Sequence, residues 1–128
     1  MGAYDIARTL GRERMDFDRA SSFIAAVPAG RWTTYKEVAT AAGNENGAQP
    51  VGNWCRRNGG DIPNVHRVIR ANGYIAEEFT PAGTGIPADA AGVRERLRAQ
   101  GVGINSSGKA NPAQRFTVED WRERGGGT

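Results

Sequence analysis

The feature that most constrains the fold is a pair of short helix-forming stretches separated by the Gly/Asn-rich loop 44–49. Thr33 or Thr34 can cap a first helix over 35–42, and a glutamate three positions after the second threonine would complete a capping box. A proline, which is favoured in a first turn because it lacks an N–H, marks a second helix over about 50–57. These two helices predict a helix-turn-helix whose second member is the reading helix.

Further apolar patterns complete a mainly helical domain. Asp16 is a suitable N-cap for a helix whose apolar residues recur at three- to four-residue spacing. These residues are Phe17, Ala20, Phe23 or Ile24, and Val27. A late helix is predicted over about 88–99, and an Asn-Gly turn signal predicts a small hairpin, or wing, between residues 67–70 and 74–79. The expected fold class is therefore mainly α with a small β wing.

The chain of 128 residues has the length of one domain. We expect a flexible N-terminal segment over 1–15, a single domain over 16–122 and a disordered tail over 123–128. No apolar run reaches the ~18 residues of a membrane span, and no leader is recognised, so we expect a cytoplasmic protein that binds no membrane. One cysteine and one histidine leave no recognisable zinc site, and no metal or other cofactor is expected.

The positive charge is concentrated in one part of the chain. The formal net charge is +3, and residues 31–70 hold six basic and three acidic residues, which accounts for all of it. The segments on either side each sum to zero. This segment contains the predicted helix-turn-helix, so it is the expected electrostatic footprint for a phosphate backbone.

Four blocks of sequence, taken together and in this order, resemble one family. They are VPAGRWTTYKEVATAAG at 27–43, PVGNWCRRN at 50–58, IPNVHRVIRANG at 62–73 and RLRAQGV at 96–102. The blocks resemble the DNA-binding half of the alkylguanine DNA alkyltransferases and, more closely, the alkyltransferase-like proteins. The resemblance covers about residues 20–105 and implies a winged helix-turn-helix domain of the alkyltransferase C-terminal type.

The resemblance also implies DNA contacts for particular side chains. Family members insert the helix-turn-helix into the minor groove, flip a damaged guanine out and place an arginine of the reading helix in the gap. Arg56 matches that finger, Tyr35 matches the tyrosine that helps to rotate the 3′ phosphate, and Asn58 matches the asparagine that braces the active-site turn. Gly52 suits close approach to the sugar-phosphate wall. The other expected DNA contacts are Arg31, Thr34, Lys36 and Arg57, and the expected base pocket is Val65, His66, Arg67 and Tyr74.

Two positions that the repair enzymes use in catalysis differ in this chain. The alkyl-accepting cysteine of their Pro-Cys-His-Arg-Val motif is Val65 here, and their late-helix glutamate is Gln100, which cannot act as a carboxylate partner. Cys55 on the reading helix is interpreted as a small buried residue and not as a replacement nucleophile. Asn64 stands where the family motif has proline, which predicts a differently shaped pocket wall. We therefore predict a protein without enzymatic activity.

The sequence predicts a DNA-binding protein that flips and holds a damaged or modified base, with alkylated guanine as the expected target, and signals to DNA repair. Its expected partners are double-stranded DNA containing a modified base and a repair or nuclease protein. Two alternatives stay open. The altered Asn64-Val65 wall also fits a modified-base sensor domain of a restriction or defence system. The helix-turn-helix alone fits an unspecific DNA-binding winged helix protein that flips no base.

Overall fold

The computed structural model describes residues 15–75 and 90–126, and the described part is mainly helical, as the sequence predicts. Its helices are α1 (Phe17–Ala26), α2 (Tyr35–Ala41), α3 (Ala48–Asn58), α4 (Ala90–Ala99) and α5 (Val118–Glu123). The strands β1 (Thr33–Thr34) and β2 (Val68–Ile69) form a two-stranded sheet. Short 3-10 turns cover Gly59–Asp61, Val65–Arg67 and Pro112–Gln114.

Helix α1 forms as its apolar spacing predicts. Asp16 caps the helix, because its side chain accepts a hydrogen bond from the N–H of Arg19 at 3.1 Å. The fully buried residues of this helix are Ala20, Phe23 and Ile24. Met15, which we expected in the flexible segment, is 5% exposed and packs in the same core. The packed domain therefore includes the residue before the cap.

Helices α2 and α3 form the predicted pair and pack against each other. Thr34 caps α2, because its Oγ1 accepts a hydrogen bond from the N–H of Glu37 at 3.1 Å. The Glu37 carboxylate accepts hydrogen bonds from the N–H of Val118 at 2.8 Å and from Arg115 at 3.3 Å. It thus ties α2 to the C-terminal segment, whereas we expected it to complete the capping box. Helix α3 begins at Ala48, slightly earlier than predicted, with the proline in its first turn.

The sheet is parallel, with the two threonines of β1 opposite Val68 and Ile69. This pairing joins distant parts of the chain and was not predicted. The turn of the expected wing is present: the N–H of Arg70 donates to the carbonyl of Tyr74 at 3.2 Å. The predicted second strand of the wing continues into residues 76–79, which lie outside the described residues.

Helix α4 ends at Ala99, and Gly101 lies in the cap that follows it. The N–H of Val102 donates to the carbonyl of Leu97 at 3.0 Å, and the N–H of Gly101 donates to the carbonyl of Arg98 at 3.0 Å. These two bonds form a Schellman motif. Gly101 has a φ of +100°, a left-handed conformation that favours glycine.

Helix α5 was not predicted, although its signal is present in the sequence. Thr117 and Asp120 form a complete capping box at its start. Trp121 on this helix is 6% exposed and packs in the main core. Glu123, which we expected in the disordered tail, is the last residue of the helix, and residues 124–126 continue in a hydrogen-bonded turn. The C-terminal segment therefore packs on the core.

Two buried clusters support the helix-turn-helix. The main core joins α1, α2, α3 and α5. A second cluster lies between the sheet, α4 and the segment that follows it. Its buried members are Trp32, Ile69, Ile75, Val93, Leu97, Val102 and Ala110. Within 15–75 and 90–126, no helix has the length and apolar character needed to cross a membrane.

Candidate nucleic-acid interface

Helix α3 has one buried face and one exposed polar face. Val51 and Cys55 are fully buried and hold the helix on the core. Successive helical residues are about 100° apart, so the residues that follow these two positions point away from the core. The residues of the exposed face are Gln49, Gly52, Asn53, Arg56 and Arg57. This face carries no acidic side chain and becomes cationic in the last turn.

Arg56 and Arg57 point to different parts of the exposed face. The guanidinium of Arg56 donates a hydrogen bond to Oδ1 of Asn53 at 2.6 Å, which holds it along the helix. Arg57 lines an open depression of about 430 Å³ between α3 and Phe17 of α1. The two side chains are therefore placed for different contacts, as their spacing on the helix predicts.

Tyr35 begins α2 and faces α3 at Gly52. A Cβ on Gly52 would lie 3.9 Å from Cδ1 of the Tyr35 ring, which is an ordinary contact distance. Burial raises the pKa of the Tyr35 hydroxyl above its usual value, Cys55 adds to this increase, and the charges of Arg56 and Arg70 oppose it. The phenol is therefore neutral at physiological pH and can donate a hydrogen bond to a phosphate oxygen.

The structure shows two candidate residues that were not predicted from the sequence, Gln49 and Arg70. Gln49 is exposed in the first turn of α3, the part of a reading helix that contacts base edges in helix-turn-helix proteins. Gln49 precedes Gly52 by three residues and Gly52 precedes Arg56 by four, and this spacing was a signal that the three positions share a face. Arg70 is exposed directly after β2, and the parallel pairing brings it beside Tyr35. No local pattern predicts that pairing.

Two residues that we expected at the DNA are engaged within the fold. Nε of Arg31 donates to the carbonyl of Gln114 at 2.9 Å, and its NH2 group donates to the carbonyl of Arg115 at 2.8 Å and to Oδ2 of Asp120 at 3.2 Å. Thr34 is fully buried, and its hydroxyl caps α2. The buried Thr34 hydroxyl is enclosed by the fold, whereas the Arg31 side chain is 28% exposed and its contact with phosphate stays a prediction.

Lys36 is exposed on α2, and Asn58 is exposed at the end of α3. Lys36 follows Tyr35 in the first turn of α2, and its contact with phosphate stays a prediction. Nδ2 of Asn58 donates to the carbonyl of Trp54 at 3.1 Å, so this side chain bonds within its own helix. The turn before β2 is braced by Asn64, whose Nδ2 donates to the C-terminal end of α1.

The expected base-pocket residues Val65, His66 and Arg67 form a buried turn. They are 1%, 8% and 8% exposed, respectively. Nε2 of His66 lies 2.7 Å from Oε1 of Gln100, and the Arg67 guanidinium donates to the same oxygen. Burial lowers the pKa of His66, the Gln100 bond opposes this effect, and the charges of Arg67 and Arg96 lower it further. Arg67 is therefore enclosed by the protein and not placed for a phosphate contact.

Tyr74, the fourth expected pocket residue, lies apart from the other three. It is 36% exposed and borders a cavity of about 200 Å³ that Trp32 and Lys109 also line. Val65 does not line that cavity. The described residues thus do not bring the four expected pocket residues together around one opening.

The only cysteine of the chain is poorly suited to nucleophilic attack. Cys55 is fully buried on α3. Burial raises the pKa of its thiol to about 12, so the reactive thiolate is scarce at neutral pH. In the part of the chain that the structure describes, no group of three or more His, Cys, Asp or Glu side chains could hold a metal ion.

Comparisons with known proteins agree with this geometry. Residues 17–102 match the family model described as 6-O-methylguanine DNA methyltransferase, DNA binding domain. A DNA base-flipping protein of Escherichia coli strain K12 is 36% identical over 93 residues, and the match covers 71% of this chain and 65% of that protein. A protein of the same name from Shigella flexneri gives the same values. The chain thus spans less than two thirds of the length of these relatives.

A solved structure shares the fold. S. pombe Atl1, crystallised with damaged DNA containing O6-carboxymethylguanine, aligns with a TM-score of 0.60 and 23% identity. The alignment covers 79% of this chain and 94% of that chain. The matched family region contains the helix-turn-helix, the sheet and α4, which are the elements that place the candidate site. The chain therefore belongs to the family of 6-O-methylguanine DNA methyltransferase DNA-binding domains.

Proposed function

We propose that this protein binds double-stranded DNA without enzymatic activity, flips out and holds a modified base, with alkylated guanine as its target, and signals the lesion to a repair or nuclease protein. One observation carries the proposal: the face of α3 that bears Arg56 and Arg57 lies beside Tyr35 at Gly52. The sequence resemblance adds that Val65 matches the position of the alkyl-accepting cysteine in the resembled enzymes. The surface for gripping DNA is retained, and the side chain that would take the alkyl group is replaced.

The side chains on this surface suit the energetics of base flipping. Extruding a base costs a few kcal/mol of lost stacking and pairing. A planar guanidinium such as that of Arg56 can fill the vacancy and hydrogen-bond to the orphaned base, which offsets part of the cost. Arg57 and Lys36 are exposed cations, and such side chains suit contacts with the phosphates of the DNA backbone. We expect Tyr35, which faces Gly52 of α3, to orient the backbone of the flipped nucleotide.

The relatives support the proposal through what their own names describe. The E. coli protein is named for base flipping, and S. pombe Atl1 was solved with DNA that carries an alkylated guanine. The absence of an acceptor at Val65 and the buried, protonated thiol of Cys55 support binding without alkyl transfer. Asn64 and Val65 form a wall that differs from the family motif, so the choice of modified base is the part that most needs measurement.

A panel of duplexes that differ in one base tests the target. The panel contains guanine, O6-methylguanine, O6-carboxymethylguanine and 5-methylcytosine at the same position. We expect tighter binding to the two alkylguanine duplexes at every salt concentration, and no added alkyl mass on the intact protein. Preference for the modified cytosine would favour a sensor of another base, and equal affinities for all four would favour unspecific binding. Transfer of one alkyl group to the protein would contradict a non-enzymatic role.

A pair of variants tests which side chain fills the gap. Arg56→Ala and Gln49→Ala remove exposed side chains from opposite ends of the same helical face. We expect Arg56→Ala to reduce affinity for the O6-methylguanine duplex more than for the plain duplex. The same selective loss with Gln49→Ala, but not with Arg56→Ala, would indicate that Gln49 fills the gap left by the flipped base.

A functional assay tests signalling to repair. We expect expression of the wild-type protein to protect a host cell that lacks its own copy against an alkylating agent. Arg56→Ala should protect less at equal protein level. Protection that persists after each of the host's other DNA repair pathways is removed in turn would contradict a signalling role.

A further inference from the structure

We propose that the DNA interface continues beyond the two helices onto a second arm, formed by Arg70, Tyr74 and Lys109, which binds phosphates of the same duplex. The inference rests on the proposed function, because it assumes that α3 and Tyr35 face DNA. It adds residues outside the helix-turn-helix, and one of them lies outside the matched family region 17–102.

The sheet places the first residue of the second arm. In the parallel register, Thr34 lies opposite Ile69, so the next residues along the two strands, Tyr35 and Arg70, leave the sheet side by side. Arg70 is exposed there. Its charge is close enough to act on the Tyr35 hydroxyl, as does the charge of Arg56 on the reading helix. Arg70 therefore lies near Tyr35, which in turn faces Gly52 of α3.

A tight turn links Arg70 to Lys109. The N–H of Arg70 donates to the carbonyl of Tyr74 at 3.2 Å, and the N–H of Gly73 donates to the carbonyl of Arg70 at 2.9 Å. The carbonyl of Gly73 then accepts a hydrogen bond from the N–H of Ala110 at 2.9 Å. A Cβ on Gly73 would lie 3.1 Å from Cγ of Lys109, so the lysine side chain packs directly over this turn. The turn and the lysine thus form one surface.

The cavity beside the second arm is suited to an anionic group. It measures about 200 Å³, and its lining within residues 15–75 and 90–126 contains no acidic side chain: Trp32, Ala71, Asn72, Tyr74, Lys109, Ala110, Pro112 and Arg115. Nε of Arg115 is buried and has no hydrogen-bond partner among the residues that the structure describes. The Arg115 charge is paired with Glu37 at 3.3 Å, so the unneutralised positive charge of the cavity comes mainly from Lys109. A phosphodiester meets these conditions, because it is anionic and accepts hydrogen bonds from lysine and tyrosine.

The salt dependence of DNA binding tests the second arm. Each phosphate contact contributes a slope of about −0.9 to a plot of log affinity against log salt concentration. We expect Arg70→Gln and Lys109→Gln each to reduce the steepness of the slope by about one contact, on plain and O6-methylguanine duplexes alike. Arg122→Gln is the matched control, because Arg122 is an exposed arginine on α5 that belongs to neither the second arm nor the helix-turn-helix. Thermal melts should show that all three variants are folded.

The outcomes distinguish a failure of the second arm from a failure of the proposed function. Reduced slopes for Arg70→Gln and Lys109→Gln with an unchanged slope for Arg122→Gln support the arm. Slopes equal to that of the wild type, in a wild-type protein that still prefers the alkylated duplex, overturn the arm and leave the proposed function intact. A wild-type protein that binds neither duplex overturns both.

Discussion

Oε1 of Gln100 accepts hydrogen bonds from two neighbouring buried residues: it lies 2.7 Å from Nε2 of His66 and 3.1 Å from NH2 of Arg67. Arg67 also donates through NH1 to the carbonyl of Val27 at 2.7 Å. One carboxamide therefore connects α4 to the turn that carries Val65 and, through the arginine, to the end of α1. Gln100 thus holds this turn in place.

Removal of the carboxamide should destabilise the fold. Gln100→Ala leaves the buried Arg67 and His66 without their shared acceptor, and we expect the free energy of unfolding to fall by about 2–3 kcal/mol. Urea denaturation followed by circular dichroism measures the change. Gln100→Glu keeps an acceptor at the same place and should cost less. Equal losses for the two variants would show that the oxygen is not the stabilising group.

Stability should also depend on the protonation of His66. Burial lowers its pKa, so the unfolded chain takes up a proton below about pH 6.5 while the folded protein takes it up only at lower pH. Stability is therefore complete above that pH and falls as the pH drops below it. Because the chain has one histidine, melts of the wild type and of His66→Gln between about pH 7 and about pH 5.5 isolate this effect. We expect a smaller decrease for the variant, and parallel curves would contradict the assignment.

Asn64 should be important for the shape of the turn before β2. It has a φ of +62°, and its Nδ2 donates to the carbonyl of Ala25 at 3.0 Å. Asn64→Ala loses the bond and keeps the unfavourable backbone conformation, so we expect a loss of about 2 kcal/mol. Asn64→Gly loses the bond but relieves the backbone, and it should be about 1 kcal/mol more stable than the alanine variant. Chemical denaturation that ranks alanine above glycine would contradict this account.

Substitutions of Arg31 and Arg57 should distinguish an arginine that stabilises the fold from one that binds DNA. Arg31→Gln loses hydrogen bonds to the C-terminal segment and should lower the free energy of unfolding by about 1–3 kcal/mol, with an unchanged salt slope for DNA binding. Arg57→Gln removes an exposed charge and should change stability by less than about 0.5 kcal/mol. Its salt slope should become shallower by about 0.9. A shallower salt slope for Arg31→Gln together with an unchanged slope for Arg57→Gln would indicate that Arg31 is the phosphate contact.

Local signals in the sequence predicted the elements that they control. Asp16 and the spacing after it predicted α1, Thr34 predicted the start of α2, and the matched family region confirms the resemblance. The same kind of signal at Thr117 and Asp120 was present and overlooked, which left α5 unpredicted.

Other features depend on contacts between distant residues, which no local pattern contains. The parallel pairing of β1 with β2, and with it the place of Arg70, is such a feature. The internal hydrogen bonding of the partly exposed Arg31 and the buried Arg67 is another: both arginines resemble surface cations in sequence, yet each donates to backbone carbonyls far along the chain. Charge alone therefore predicted the cationic segment correctly but could not tell which of its side chains remain exposed.

The most direct test of the central claim is the fluorescence of 2-aminopurine placed beside an O6-methylguanine in a duplex. Extrusion of the guanine unstacks its neighbour, so saturating protein should brighten the probe. We predict a clear increase on the alkylated duplex, a smaller one on the plain duplex and a reduced one with Arg56→Ala. Unchanged fluorescence on the alkylated duplex under conditions of full binding would contradict base flipping by this protein.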